Sequence, residues 1–410
     1  MFEAFAECWP WDLIDEGADA VLDRLKGETG LTGLVVPMVV PALCQVRARP
    51  GARPRVFLTG GGAMFRAESR YFAGTRLRPV AAEGLRRSDG PARAVQACAR
   101  HVLRFRAAVH ACHDTAAAER FPAAAVRDVF GEPVPGRLCP VNPDVREYLR
   151  GLVENLAALC PQTDLELREA AFPRDRFADR TPTAGLPLSP LCRQLWSLCF
   201  CESCQHLAGR DGVDVAGAAR AVTVALERVF EDAGALPSSA EAWIAEHPPL
   251  AAFMDWRAVQ ITALHETLAR TAGARLIARA SGPSRWTGFD PRSVGRTAVV
   301  CLEVARVGVS AVEQAIGQVG DESGTGRGLE LDFVEALAGC PEPSVLVASV
   351  ARAAELGARG ATLGNVGLLP PSRLDWLRQA VRYASRQGRD DPVRSQRFAG
   401  KEDKPAERAG

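Results

Sequence analysis

The feature that most constrains the fold is an alternation of short apolar segments with amphipathic helical segments along most of the chain. Apolar runs of strand length that alternate with helices are typical of parallel sheets built from βαβ units. Between the third and fourth of these runs, residues 142–160 are predicted to form a helix, because Asn142 can cap it and Pro143 suits its first position. The predicted strands are 31–43, 76–81, 104–111, 163–173, 274–281, 297–304, 328–334 and 360–369.

Eight alternating strands favour a (β/α)8 TIM barrel over an open, doubly wound sheet. Residues 358–384 read as a strand, a turn with paired prolines and an amphipathic helix that would close the barrel. We expect the barrel to occupy residues 1–385, with a helical insertion, cysteine-rich at its start, over 186–270 after the fourth strand. Residues 386–410 are charged and poor in apolar side chains, which predicts a disordered tail.

Composition narrows the possible partners. The chain has 410 residues, of which 47% are hydrophobic and 24% charged, enough for one large barrel. Fifty basic residues against 49 acidic ones give a net charge of +1, so no overall field would recruit nucleic acid or an anionic membrane. The N-terminus lacks the pattern of an export signal and no apolar run reaches about 18 residues, so we expect a cytoplasmic protein. Nothing in the sequence specifies an oligomeric state.

The predicted fourth strand carries unusual charge. Side chains alternate along a strand, so Glu166 and Arg168 share one face, and we expect both to point into the top of the barrel. An adjacent guanidinium lowers the pKa of a carboxyl group, which suits a nucleophile or a carboxylate that holds substrate. The side chain of Glu169 is expected to point to the opposite face of the strand and to be solvated. The alternative is a buried ion pair that closes the barrel.

Several segments resemble those of a known family. Glu166 matches an acidic residue of that family's fourth strand, and His113 with Asp114 matches a His-polar pair at the end of its third strand. The resemblance implies a TIM barrel that acts on glycosides. Arg168 stands where the family has a second acidic residue, and a histidine-rich loop after the fourth strand is absent. The family comprises bacterial TIM-barrel proteins described as glycosyl-hydrolase-like, and the similar segments, within residues 30–385, are RLCPVNPDVREYLRGLVENLAAL (137–159), DLELREAAF (164–172), LWSLCFCESC (195–204) and GARGATLGNVGLLPPSRLDWLRQAV (357–381).

Glycoside hydrolysis normally needs two carboxyl groups on different strand ends. We therefore predict Glu166 and Glu330 as catalytic residues, with His113 as an acid–base group at the barrel rim. The alternative for His113 is a structural hydrogen bond. The residues predicted to bind substrate are Arg168, Asp114, Trp286, Glu303 and Asp332. Of these, Trp286 would offer an aromatic platform to a sugar ring, although core packing is the alternative.

The cysteines predict a structural metal site. Three thiols have the spacing C-x-C-x-x-C, which can fold around one ion, and they belong to Cys199, Cys201 and Cys204. Cys192 or His206 could supply a fourth ligand, and a zinc ion held there would be structural, while the predicted reaction itself requires no cofactor. The alternatives are small buried side chains that cap a helix, and a redox pair. His110 is expected to face away from His113, so these two histidines predict no metal site.

Three functional hypotheses follow. The first is a glycosidase-like enzyme that acts on a carbohydrate or a glycosylated small molecule. The second is a non-hydrolytic barrel, either a sugar-binding protein or an isomerase or lyase that uses Arg168 and His113 on an anionic substrate. The third is a scaffold protein that is stabilised by a structural zinc ion and has no catalytic activity.

Overall fold

The structure, a computed structural model, describes residues 2–48, 54–83, 90–176, 186, 188–232, 236, 239–272, 276–282, 284–319 and 328–387. Eight parallel strands close into a barrel, because each pairs with the next and the last pairs with the first. The predicted (β/α)8 TIM barrel is therefore confirmed. The strands are β1 (Glu3–Glu7), β2 (Gly33–Val40), β3 (Arg104–His110), β4 (Asp164–Arg168), β5 (Leu276–Ala280), β6 (Val299–Glu303), β7 (Leu329–Asp332) and β8 (Gly360–Asn365).

Helices surround this barrel, and five of them lie between β4 and β5. Asn142 caps the helix that precedes β4 as predicted, since its side chain accepts a hydrogen bond from the backbone of Val145, and Pro143 begins that helix. The helices are α1 (Pro10–Glu16), α2 (Ala18–Thr29), α3 (Gly90–Arg100), α4 (Thr115–Arg120), α5 (Pro143–Leu159), α6 (Pro190–Trp196), α7 (Glu202–Arg210), α8 (Val215–Asp232), α9 (Ala240–Ala245), α10 (Pro248–Ala272), α11 (Pro291–Val294), α12 (Val309–Gly317), α13 (Pro343–Glu355) and α14 (Leu374–Gln387). No helix in the described part of the chain is long and apolar enough to cross a bilayer.

The strand count was right although two predictions were wrong. The first strand is Glu3–Glu7, which the sequence analysis missed, and residues 76–81 form no strand. That segment makes a single bridge, from Ala81 to Ala63, and Pro79 lacks the N–H that a ladder needs. Most of the predicted tail, residues 388–410, lies outside the described residues.

Charged side chains fill much of the barrel interior. Apolar residues form two small groups there, one around Phe5 and Val35 and one around Ile277 and Val299. Between these groups the strands point arginines and carboxylates at one another, and the larger apolar core lies outside the barrel, where the sheet packs against the helices. The interior charges form the floor on which the candidate site rests.

Candidate active site

A cavity of about 710 Å³ opens at the carboxyl ends of the barrel strands. In TIM-barrel enzymes the active site lies at this end, because the loops that follow the strands converge there. The polar and aromatic residues that line this cavity from strand ends and the loops that follow include Glu7, Trp9, His110, His113, Arg137, Arg168, Glu169, Arg279, Ser281, Trp286, Glu303 and Glu335. The cavity is the candidate functional site.

Glu169, the residue after β4, is the centre of a hydrogen-bonded group. Its Oε2 lies 3.1 Å from Nδ1 of His110 and 2.9 Å from Nδ1 of His113, and its Oε1 accepts a 2.5 Å hydrogen bond from Arg137. Burial acts to raise the pKa of Glu169, but the two histidines and Arg137 hold it well below the ordinary value. Glu169 is therefore ionised at neutral pH.

The expectations that Glu169 is simply solvated and that His110 faces away from His113 are wrong. Glu169 has a positive φ of 51°, a conformation outside the regular strand, and this turns its side chain towards the histidines. The side chain is 36% exposed. The strand alternation on which both expectations relied ends with the strand itself.

Two imidazoles and a carboxylate within 4.8 Å of one another are also a set that could hold a divalent ion. Burial lowers the pKa of His110 more than its contact with Glu169 raises it, which favours the neutral imidazole that binds metals. Against this, Arg137 engages the second oxygen of Glu169 and supplies a fixed positive charge at the same place. The negative charge of Glu169 is thus already balanced by Arg137.

Glu303 is a second carboxylate on the cavity wall. It is the last residue of β6, its side chain is 35% exposed, and it accepts hydrogen bonds from Ser281 Oγ at 2.5 Å and from Arg279 Nε at 3.1 Å. The positive charge of Arg279 is shared, since Nη2 of this arginine also lies 3.2 Å from Asp332 Oδ1. The cavity is therefore flanked by carboxylates from the ends of two different strands.

Glu166 and Glu330, predicted as a catalytic pair, lie beneath the cavity and do not line it. Both side chains are fully buried, and Arg106 donates to both, at 3.1 Å to Glu166 and 2.8 Å to Glu330. Burial acts to raise the pKa of Glu166, but Arg168 and Arg106 lower it to about 2. A catalytic role for this pair stays a prediction, and the placement favours the alternative of a buried ion pair.

Three of the residues predicted to bind substrate have different surroundings. Arg168 lines the cavity floor and pairs with Glu7 at 2.5 Å. Trp286 lines the cavity with 9% of its surface exposed. Asp332 is buried below the cavity, and burial raises its pKa to about 7 although Arg279 acts to lower it. The structure brings Arg168 and Trp286 to the cavity together with His113 and Glu303.

Asp114 does not reach the cavity wall. Its side chain caps α4 by accepting a hydrogen bond from the backbone of Ala117, and it accepts a second one, at 2.7 Å, from the hydroxyl of Tyr148. Both partners are protein groups and Asp114 is buried. These contacts give it a structural position next to the site.

The three cysteines of the CFCESC segment come together in space, but their fourth neighbour is neither Cys192 nor His206. Cys139, about 60 residues upstream and just before α5, joins them. The four sulfur atoms, from Cys139, Cys199, Cys201 and Cys204, lie within 4.8 Å of one another, and all four residues are buried. None of them lines the cavity at the barrel mouth.

No family model matches the chain, and the search of curated proteins found no match. Solved structures do match its fold, and the three that follow have low sequence identity. Alpha-L-fucosidase isoenzyme 2 from Paenibacillus thiaminolyticus has 12% identity and a TM-score of 0.54, over 94% of this chain and 49% of the fucosidase. A beta-galactosidase from the Antarctic haloarchaeon Halorubrum lacusprofundi has 11% identity and a TM-score of 0.55, over 95% and 59%. A beta-galactosidase from Marinomonas ef1 has 11% identity and a TM-score of 0.51, over 94% and 60%.

The chain thus spans about half to three-fifths of the length of these enzymes. The resemblance to glycosyl-hydrolase-like barrels is confirmed at the level of the fold.

Proposed function

We propose that the chain is a glycoside-hydrolase-like enzyme that cleaves a carbohydrate or a glycosylated small molecule at the barrel mouth. One observation carries this proposal: Glu169 and Glu303, at the ends of β4 and β6, line the same cavity. Two carboxyl groups from different strand ends are what glycoside hydrolysis requires. A cavity of about 710 Å³ has the size of a small-ligand site.

The two carboxylates have different roles in this proposal. Glu169 is ionised because His110, His113 and Arg137 stabilise its negative charge. It therefore faces the positive charge that develops on the anomeric carbon, as nucleophile or as electrostatic stabiliser. His113 acts as a positioning residue, since its Nδ1 holds Oε2 of Glu169.

Glu303 is the proposed proton donor to the leaving oxygen. It is partly exposed, and only Ser281 and Arg279 among the described residues donate hydrogen bonds to it. Arg279 also contacts Asp332, so its charge is shared between the two carboxylates. Trp286 would pack against the apolar face of a sugar ring.

The test is turnover of a library of aryl glycosides by the full chain and by Glu169→Gln and Glu303→Gln. Acid–base groups contribute roughly 10²- to 10⁴-fold to such rates, so each variant should lose activity on that scale. Glu335→Gln is the matched control, because Glu335 also lines the cavity but is exposed. Activity that survives in Glu169→Gln and Glu303→Gln, or that falls equally in Glu335→Gln, would refute the assignment.

A second function, that of a lyase or isomerase on an anionic substrate, is favoured by the arginines of the cavity floor. Arg168 and Arg279 line the cavity; Nη2 of Arg168 has no hydrogen-bond acceptor among the described residues, and Nη1 of Arg279 has only the longer contact of 3.5 Å with Glu7 and one of 3.9 Å with Glu166. Such guanidinium groups suit a carboxylate or phosphate. A lyase that acts on uronic-acid oligosaccharides would form an unsaturated, ultraviolet-absorbing product, and Arg168→Met would abolish it.

A further inference from the structure

We propose that Cys139, Cys199, Cys201 and Cys204 form a closed tetrathiolate site for one zinc ion. The site would tie the segment that precedes α5 to the segment that precedes α7. It is separate from the cavity, so its test is independent of the proposed hydrolysis.

The sulfur positions fit one ion. A tetrahedral site with Zn–S bonds of about 2.3 Å holds its sulfur atoms about 3.8 Å apart. The Sγ atoms of Cys139 and Cys204 are 3.6 Å apart, and all four lie within 4.8 Å of one another. A multinuclear iron–sulfur cluster would hold its ligands farther apart, because several metal atoms lie between them. The spacing therefore favours a single metal ion.

The backbone around the site is built to hold these thiols. Cys201 is the N-cap residue of α7, and Cys204 lies in its first turn. The backbone N–H of Cys139 donates to the carbonyl of Ala124, and that of Phe200 donates to the carbonyl of Arg127. These bonds fix both ligand-bearing segments against the same short strand (Ala125–Arg127) and its neighbouring residue.

A buried cation without a counter-charge is the second, independent observation. Arg257 on α10 is fully buried, and none of its three guanidinium nitrogens has a hydrogen-bond partner among the described residues. Its guanidinium carbon lies 4.0 Å from the centre of the Phe172 ring, and the guanidinium is close enough to Cys204, Cys199 and Cys139 to interact with their charge when they are ionised. A buried charge normally has a partner.

Zinc binding would supply that partner. The four thiols would release their protons to solvent, and four thiolates around Zn²⁺ leave a net charge of −2. Arg257 would then lie near an anion that balances its charge. A zinc tetrathiolate would therefore balance the buried charge of Arg257, whereas four neutral thiols carry no charge that could do so.

The alternative roles for these cysteines fit less well. Cys201 makes no side-chain hydrogen bond to cap α7, although it stands at the cap position. The 3.6 Å between the sulfur atoms of Cys139 and Cys204 is far from the roughly 2.05 Å of a disulfide. A surface groove lined by Cys201, Phe200 and His206 reaches the cluster from outside and gives an ion a way in.

The test is the metal content of the full chain, expressed with zinc in the medium and purified without chelator. The wild type should hold about one zinc per chain, and Cys139→Ser and Cys201→Ser should lose it. Cys192→Ser is the matched control, because Cys192 is buried on α6 but lies outside the cluster, and it should keep the zinc.

A second measurement covers the case in which Cys139→Ser and Cys201→Ser do not fold. Wild-type protein loaded with Co²⁺ should show the intense sulfur-to-metal charge-transfer bands and the visible bands of a tetrahedral thiolate site. Arg257→Met should release zinc to a chelator at least about tenfold faster than the wild type. Folded wild type that takes up neither zinc nor Co²⁺ would overturn the proposal, as would a disulfide among the four cysteines or zinc retained by Cys139→Ser.

Discussion

Arg106 inside the barrel provides the sharpest test of the structural account. The substitution Arg106→Met keeps a long apolar side chain but removes the charge that Glu166 and Glu330 share. Both carboxylates would stay buried without this partner, and removing one member of a buried ion pair costs about 3–5 kcal/mol. The fall of the Glu166 pKa from 4.5 to about 2 corresponds to about 3 kcal/mol at about 1.36 kcal/mol per pKa unit, and Arg168 contributes more of it than Arg106 does.

The stability of Arg106→Met relative to the wild type should also change with pH. In the wild type the pKa of Glu166 is lower in the folded protein, so its stabilising contribution is present above pH 4.5 and is lost as the pH falls towards 2. In Arg106→Met one of the arginines that lower the pKa of Glu166 is missing, so this pKa rises, while Arg168 still acts to lower it. The variant should therefore recover stability, relative to the wild type, as the pH falls from 4.5 towards 2.

Urea unfolding followed by far-ultraviolet circular dichroism at pH 3 and pH 7 measures both effects. Arg104→Met is the matched control on the same strand, since Arg104 has a side chain that is 40% exposed and its ion pairs with Glu3 and Asp164 should contribute about 0–1 kcal/mol. Adding Glu166→Gln and Glu330→Gln to Arg106→Met should restore much of the loss. Equal losses in the variants of Arg106 and Arg104 would refute the reasoning, as would a loss that does not change with pH.

Three further predictions use single substitutions. Gly33→Ala would place its Cβ 2.4 Å from a ring carbon of Phe5, so the free energy of unfolding measured in urea titrations should fall by about 1–3 kcal/mol. In the control Gly27→Ala the new Cβ meets open space in α2, and the free energy of unfolding should rise by about 0.5–1 kcal/mol. Burial raises the pKa of Asp332 from 3.8 to about 7, so wild-type stability should fall as the pH rises through that window, and the stability of Asp332→Asn relative to wild type should rise across it and level off above pH 7. Glu166→Gln should lower the melting temperature without ligand but leave the shift caused by a bound sugar unchanged, because Glu166 does not line the cavity; loss of that shift would restore its predicted catalytic role.

The sequence predicted the barrel because most of its strands are apolar runs between helices. It missed β1, whose five residues EAFAE are too short and too charged to show a strand pattern. Glu7 is tolerated there because it points into the barrel and pairs with Arg168. The alternation rule itself held for Glu166 and Arg168, which both point inward as predicted.

The candidate active site and the cysteine cluster were harder to predict, because each depends on a residue that no local sequence pattern identifies. Alternation along the strand predicted a solvated side chain for Glu169, but the left-handed backbone conformation of this residue turns its side chain into the cavity. Cys139 lies about 60 residues from the CFCESC segment, so no spacing rule links them. Only the folded chain, in which the segment before α5 packs against the segment before α7, shows that the four sulfur atoms meet.

Oxygen-18 incorporation tests the proposed hydrolysis most directly. The full chain is incubated with oligosaccharides in ¹⁸O-labelled water, and the masses of the products are measured by mass spectrometry. Hydrolysis predicts products in which the new reducing end carries one ¹⁸O, formed by the wild type and by Glu335→Gln but not by Glu169→Gln or Glu303→Gln. Shortened products that contain no ¹⁸O, or labelled products formed at the wild-type rate by Glu169→Gln and Glu303→Gln, would contradict it.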